Sequence, residues 1–545
     1  MKKDYFKPTL NRMSLSASEI YQKILDLRTQ DEISRVAAIQ FIPTIASALG
    51  TTRTCDELLP YIVETAIFTE DQWIKVLDAI GKINYAELSE KQINNVFYTI
   101  CSICEMESRA IREAFIKCFV SIVQKVKPEV VDNVLKQMII TMLEQKESPS
   151  IRAAAIAVYA NTITKFSPQV KQSLFMKIEA MKEDPAVNVR QSYASSAALM
   201  AAHVKGALAT NLLTSMSLLA SDDSYSVCCE VPKFLISYMK AFNNAQKVFE
   251  IGEKLMASKN WRVRCMYVAS LSDIFKGQTV EFGPIFNIIE NASKDPDDEV
   301  QTAAAEELVF LSELQDIDKD KVRELLERLL KSNCSHVKTS TALALPDFVK
   351  VLPGDFVCSS LIQLTKDSSQ EVKITAIQSL KSPKVPVDVK SKGLEEASNT
   401  NEWREKESIV KLLPELTLDT NNDFLEIVIK MLKDDANKVR RSIIDKLPFL
   451  VARKGSNLRE EIVPALQEMA DGDDYQLRQT AVSAIIKIEK FDKVGMDILE
   501  KASTDPVANV RLVVATSLPR SPQFKPLLNR LASDQDEDVR LEASQ

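Results

Sequence analysis

The sequence predicts an all-α protein built as an array of about fifteen stacked antiparallel helix pairs. Three observations carry this. A short polar turn that closes on an apolar residue and then, in most copies, a basic one recurs at intervals of roughly 30 to 40 residues, the period of helical repeat arrays. The stretches on either side of each turn place apolar residues at i, i+3, i+4 and i+7, the stripe of a helix. The composition suits helices, with 11 glycines and 6 % aromatics in 545 residues, and the chain is too long for one ordinary core.

The turns follow one another in order. "DEISR" ends at Arg35, "DQWIK" at Lys75, "ESRAIR" at Arg112, "ESPSIR" at Arg152 and "DPAVNVR" at Arg190. "DDSYSVC" ends at Cys228, "KNWRVR" at Arg264, "DPDDEVQ" at Gln301, "CSHVK" at Lys338 and "DSSQEVK" at Lys373. "NEWREK" ends at Lys406, "DDANKVR" at Arg440, "DDYQLR" at Arg478, "DPVANVR" at Arg511 and "DQDEDVR" at Arg540. In each unit a helix A precedes the turn, as in "AQKVFEIGEKLMAS", and a helix B follows it, as in "WRVRCMYVASLSDIF". The turn Asp is placed to cap helix B, and Pro185, Pro296 and Pro506 directly follow it. One pair cannot bury its apolar face alone, so neighbours stack into a continuous core. The recurring Arg or Lys suits a ladder of ion pairs to the turn Asp of its own or the next repeat.

Residues 1–17, "MKKDYFKPTLNRMSLSA", read as a flexible tail without the apolar stretch of a signal peptide, and the repeats occupy 18–545. The last helix B is short, which leaves the terminal repeat incompletely capped. No apolar run approaches the ~20 residues that span a bilayer. A net charge of -7 argues against a nucleic-acid binder. Nine scattered cysteines, mostly in apolar helical contexts, read as reduced core thiols of a cytosolic or nuclear protein. Cys101 and Cys104 form one C-x-x-C without a second pair, which a helical spacing explains without zinc.

Catalytic chemistry is missing from the pattern. The two histidines, His203 and His336, lie in different repeats. There is no phosphate-binding glycine loop, and acidic pairs such as Asp222/Asp223 and Asp434/Asp435 fall in turns. The sequence reads as a non-enzyme without cofactor or metal. Two of the three tryptophans, Trp261 and Trp403, stand at turns with Arg262 and Arg404 directly after them. Each Trp–Arg pair has two readings: a ring packed on its own helix pair under a covering Arg, or an exposed binding hot spot.

The units with D-x-x-x-V-R resemble HEAT repeats. "ASALGTTRTCDELLP" (Ala46 to Pro60), "WRVRCM" (Trp261 to Met266), "DPVANVR" (Asp505 to Arg511) and "SDQDEDVR" (Ser533 to Arg540), in this order, are similar to the scaffold (structural A) subunit family of protein phosphatase 2A. The resemblance runs through all repeats. It implies a superhelical α-solenoid whose intra-repeat turns hold the other subunits of a serine/threonine phosphatase. The N-terminal repeats, 18–310, would bind a regulatory B-type subunit, with Arg190, Trp261 and Arg262 as its contacts. The C-terminal repeats, 386–545, would bind the catalytic subunit through Trp403, Arg404, Tyr475 and Val507. Trp73, also near a turn, is a third candidate anchor. The sequence departs from the family at Glu405 and Lys406, which replace Val-Arg after Trp403–Arg404 and would reorient that turn. The resemblance implies a cytoplasmic protein, with the nucleus as a second compartment, and no partner in nucleic acid or membrane. The competing reading is a HEAT-repeat nuclear-transport receptor or cargo adaptor, although the long acidic loop of that class is absent.

Overall fold

The computed structural model describes residues 16–64, 68–86, 88–105, 108–127, 130–415, 422–454 and 456–544. Most of the predicted tail, residues 1–15, lies outside the described residues. Ser16 already caps the first helix, Ala17–Asp26: its hydroxyl accepts from Glu19 N at 3.3 Å and its own N–H donates to the Glu19 carboxylate at 2.7 Å. Among the described residues there are helices, turns and no strand.

The helices fall into two compact units divided between Val280 and Glu281. Among the described residues the first unit holds seven helix pairs, closing with Ala245–Met256 before Trp261–Val268 and Leu271–Phe275. The second holds eight among its described residues, opening with Phe282–Ala292 and Asp298–Glu306 and closing with Lys525–Leu531 and Glu537–Ser544. Within each unit the B helices pack on one another. Pro149–Thr162 of repeat four lies on Val187–Ala201 of repeat five, and Ser335–Ala344 of repeat nine lies on Gln370–Ser379 of repeat ten.

Repeat seven shows how sequence becomes packing. Helix A buries Val248, Ile251, Gly252 and Leu255, and helix B buries Val263, Tyr267, Val268, Leu271, Ile274 and Phe275. The spacing is the helical stripe read from the sequence, and each fully buried apolar side chain contributes about 1.5–3 kcal/mol. Gly252 is fixed by contact: a Cβ there would stand 2.0 Å from the Tyr267 hydroxyl oxygen. At the junction of repeats one and two, Gly50 (φ 77°) breaks the helix Ile42–Arg53 so that the chain can start the next helix A. That helix continues through a π-turn, Thr54–Leu58.

The ladder exists, and its geometry divides the capping expectation. Asp31 caps helix B of repeat one, accepting Ser34 N at 3.0 Å, whereas the first Asp of five later turns does not cap. Asp184, Asp222, Asp434, Asp505 and Asp534 each accept the backbone N–H two residues on, at 2.8–2.9 Å, which shapes the turn. The caps come later, from Ser148, Asn260, Asp297 and Asp474, so Pro185, Pro296 and Pro506 precede the N-cap and do not begin the helix. The turn Asp is left free to take the cation of the preceding repeat. Arg152 holds Asp184 at 2.8 and 3.0 Å, Arg190 holds Asp222 at 2.7 and 3.0 Å, and Arg511 holds Asp534 at 2.7 Å through both nitrogens. Lys338–Asp367 and Lys406–Asp434 are the lysine versions, at 2.7 and 2.5 Å. The third guanidinium nitrogen of each Arg donates to the carbonyl six residues back, as in Arg190 to Asp184 O at 2.8 Å and Arg511 to Asp505 O at 2.7 Å.

Candidate binding ridge at the intra-repeat turns

In repeats five, six, seven, eleven and thirteen helix B begins three residues before the ladder position, and that first residue stands at the turn. The preceding residue is extended each time: Ser224 (φ −92°, ψ 118°), Asn260 (−89°, 119°), Glu402 (−84°, 114°) and Asp474 (−76°, 112°). The shared geometry puts Tyr225, Trp261, Trp403 and Tyr475 at equivalent places on their turns. Tyr225 is 49 % exposed and Tyr475 37 %; both tryptophans are half-buried.

In the first unit Arg262 lies over the Trp261 ring at 4.5 Å and reaches the Tyr225 ring of the preceding repeat at 5.9 Å. Its backbone N–H is fixed by Asn260 Oδ1 at 3.0 Å. The guanidinium is exposed and has no carboxylate within ion-pairing distance among the described residues. Val187 occupies the same place in repeat five and is also exposed, so successive turns present Val187, Tyr225 and Trp261. In the second unit Arg404 lies over Trp403 at 4.7 Å, and Lys438 of the next repeat covers the same ring at 4.4 Å. Arg404 is likewise exposed and without an ion pair among the described residues. An apolar shelf carrying a free planar fork of donors suits a protein partner that offers carboxylate or carbonyl oxygens beside apolar groups.

Four expectations change on this geometry. Arg190 is not on the exposed ridge: Asp222 and the carbonyls of Asp184 and Pro185 bind its guanidinium, and 16 % of its side chain is exposed. The hydrogen bond to Asp222 raises the Arg190 pKa further. Trp73 is a core residue, 4 % exposed, packed edge-on against Phe68 at 5.0 Å. Thr69 caps its helix, so Phe68 and Trp73 flank the cap as a hydrophobic staple. Val507 is the N-cap of its helix and Ala508 the first helical residue, one step out of register with Trp403 and Tyr475. The Trp403 turn is not reoriented: Glu405, 2 % exposed, accepts Lys373 of the preceding repeat at 3.2 Å, because Thr400 stands where other turns have Asp, and Lys406 keeps the ladder to Asp434. Sequence reasoning missed Tyr225 and Val187. Counting back three residues from the ladder position would have found both, but Cys228 hides that position in repeat six. Its thiol donates to Asp222 O at 3.3 Å, the bond an Arg makes elsewhere.

The ladder also sets the local electrostatics. Arg511 holds the Asp534 carboxyl below the usual carboxylate range. Burial pushes the Asp505 carboxyl up, but Arg478, the Val507 N–H and Arg511 outweigh it and leave it lowered. No group of three or more His, Cys, Asp or Glu is placed to hold a metal ion among the described residues. Cys101 ends the helix Glu90–Cys101 and Cys104 lies in the following turn, where burial pushes its thiol up to about 12. His203 and His336 are exposed in different units. No single described helix is long and apolar enough to cross a membrane.

No family model matches the chain. Over 274 residues, 46 % of its length, it is 22 % identical to the A-type regulatory subunit of protein phosphatase PP2A from Saccharomyces cerevisiae, and the match spans 41 % of that protein. Yeast importin-β (Kap95p) superposes with a TM-score of 0.53 at 15 % identity, covering 96 % of this chain and 76 % of that one. Kap95p in its complex with Nup1 gives 0.56 at 16 % over 96 % and 76 %, and a Kap121p structure gives 0.55 at 13 % over 96 % and 60 %. At these identities the superpositions establish the fold alone. The helix pairs, the turn-to-turn ladder and these likenesses together make the chain a HEAT-repeat α-solenoid protein, similar in sequence to the A-type regulatory subunit of PP2A.

Proposed function

We propose that the chain is a non-catalytic scaffold that holds one regulatory B-type subunit together with the catalytic subunit of a serine/threonine protein phosphatase on its intra-repeat turns. The observation that carries this reading is the pair of aromatic–cation clusters, Trp261–Arg262–Tyr225 and Trp403–Arg404–Lys438, which present unpaired guanidinium groups on exposed turns. The sequence likeness to the phosphatase subunit supports the assignment of partners. The Trp403 and Tyr475 turns, with the apolar Val507 turn beyond them, take the catalytic subunit. The Val187, Tyr225 and Trp261 turns take the regulatory subunit, and Arg190 supports that surface by locking repeats five and six. Reconstitution with the phosphatase catalytic subunit, followed by titration of Trp403→Ala, tests the reading. A wild-type chain that captures no metallophosphatase overturns it.

The second reading is a nuclear-transport receptor or cargo adaptor. The superposition with Kap95p over 96 % of the chain supports it at the level of fold. Capture of a GTP-loaded small GTPase in place of a phosphatase would select it.

A further inference from the structure

From repeat nine to the last, every step of the second unit's ladder contains a cation. Lys338 holds Asp367, Lys373 holds Glu405, Lys406 holds Asp434, Arg440 holds Gln476, Arg478 holds Asp505 and Arg511 holds Asp534. The step from repeat eight to repeat nine differs. Gln301 stands in the cation's place and Ser332 in the acceptor's, and the Ser332 hydroxyl donates to Gln301 Oε1 at 3.5 Å, a long bond between neutral groups. Gln301 still makes the inner contact of the ladder, donating to Asp295 O at 2.7 Å. Ser332 still shapes its turn by accepting Cys334 N at 3.2 Å. The fold is therefore intact at this step, its B helices Asp298–Glu306 and Ser335–Ala344 stay packed, and only the charge of the ladder at the turns is gone. On the side of the A helices Arg328 reaches Ser293 Oγ at 3.1 Å and Glu290 at 3.7 Å.

We infer that the step between repeats eight and nine is the compliant joint of the second unit. The repeats pivot about the Arg328–Ser293 contact while the unclamped turn edges slide. In a solenoid each repeat touches only its neighbours, so one softened step changes the relation of everything on either side of it. The first helical residues of repeats eight to ten are Asp298, Ser335 and Gln370, so no aromatic cluster crosses the joint. The inference does not depend on which partner binds.

The test measures the distance distribution between nitroxides at Asn291 and Gln363, attached through genetically encoded ketone side chains so that the native cysteines stay unlabelled. Both positions are exposed, on the A helices of repeats eight and ten. Gln301→Arg with Ser332→Asp installs the ladder pair in a turn that already has its geometry, and the distribution should narrow. Lys338→Gln with Asp367→Ser removes the clamp of the next step, and the same distribution should broaden. An unchanged width in the folded Arg/Asp variant overturns the joint. If that variant does not fold, an unchanged width in the Gln/Ser variant does so.

Discussion

Arg478 grips Asp505 across 27 positions of chain, Nε to Oδ2 at 2.7 Å and Nη2 to Oδ1 at 3.0 Å, while its remaining nitrogen binds Gly472 O and Asp473 O. Both side chains are largely buried. One residue thus closes its own turn and fastens the next repeat. The same bifunctional role recurs at Arg152, Arg190 and Arg511.

Arg190→Ala should cost on the order of 2 kcal/mol of stability, because it leaves the largely buried Asp222 without its partner. Arg262→Ala should leave the melting temperature nearly unchanged, since its guanidinium touches only rings. It should instead weaken capture of the regulatory subunit. Thermal melts and pull-downs of the two variants are the check, and equal melting temperatures would contradict the distinction.

Trp403→Ala should weaken binding of the catalytic subunit at least tenfold, given that truncating a central Trp costs about 2 kcal/mol and ~1.4 kcal/mol is one decade. Trp261→Ala should not. Titrating both variants with the purified catalytic subunit distinguishes them, and equal affinities would refute the division of the ridge.

Tyr225→Ala should reduce the affinity for the regulatory subunit several-fold, whereas Tyr225→Phe should retain it, because the ring carries the contact with Arg262. Loss of binding in the Phe variant would assign the role to the hydroxyl.

Acid should loosen the ladder. The folded pKa values of Asp505, Asp534 and Asp367 lie below their ordinary value. Such a group contributes stability that is fully present above its unfolded pKa of about 3.9 and is lost as pH falls through the lower folded value. Denaturant midpoints should therefore hold from neutral pH to about pH 4 and drop below it. Asp534→Asn should blunt that drop. A midpoint that stays flat to about pH 2 would remove the ladder from the stability of the second unit.

Trp73→Ala should cost about 3–5 kcal/mol as a core truncation and leave the affinity for the catalytic subunit unchanged. Hydrogen exchange confined to the neighbourhood of repeat two would register the loss.

How far the sequence could be read follows from these residues. The period, the helix pairs and the basic residue of each turn were legible because they are local: apolar spacing and turn chemistry lie within one repeat. The partner of each basic residue was legible only as a choice between the Asp of its own turn and that of the next, because packing across the repeats decides between them. Trp73 was misplaced because its helix is capped by Thr69, so it begins earlier than "DQWIK" suggests. Val507 was misplaced by one residue because it stands four residues before Arg511, whereas the first helical residue, Ala508, stands three before it. Exposure at the Trp–Arg turns was undecidable from composition, because a covering Arg and a free Arg look the same in a string. The fold seats Arg262 and Arg404 on their rings and leaves both without carboxylates among the described residues.

The ladder also acts as a ruler. Where an Arg stitches its own turn the reach back is six residues, as from Arg35 to Thr29 and from Arg540 to Asp534. The reach forward varies, from 37 residues between Arg35 and Gln72 to 23 between Arg511 and Asp534. Length is thus conserved at the turns and spent on the opposite edge, where one repeat passes to the next. Insertions, affinity tags and duplicated segments belong on that opposite edge; a single residue added inside a turn would break the stitch to both neighbours.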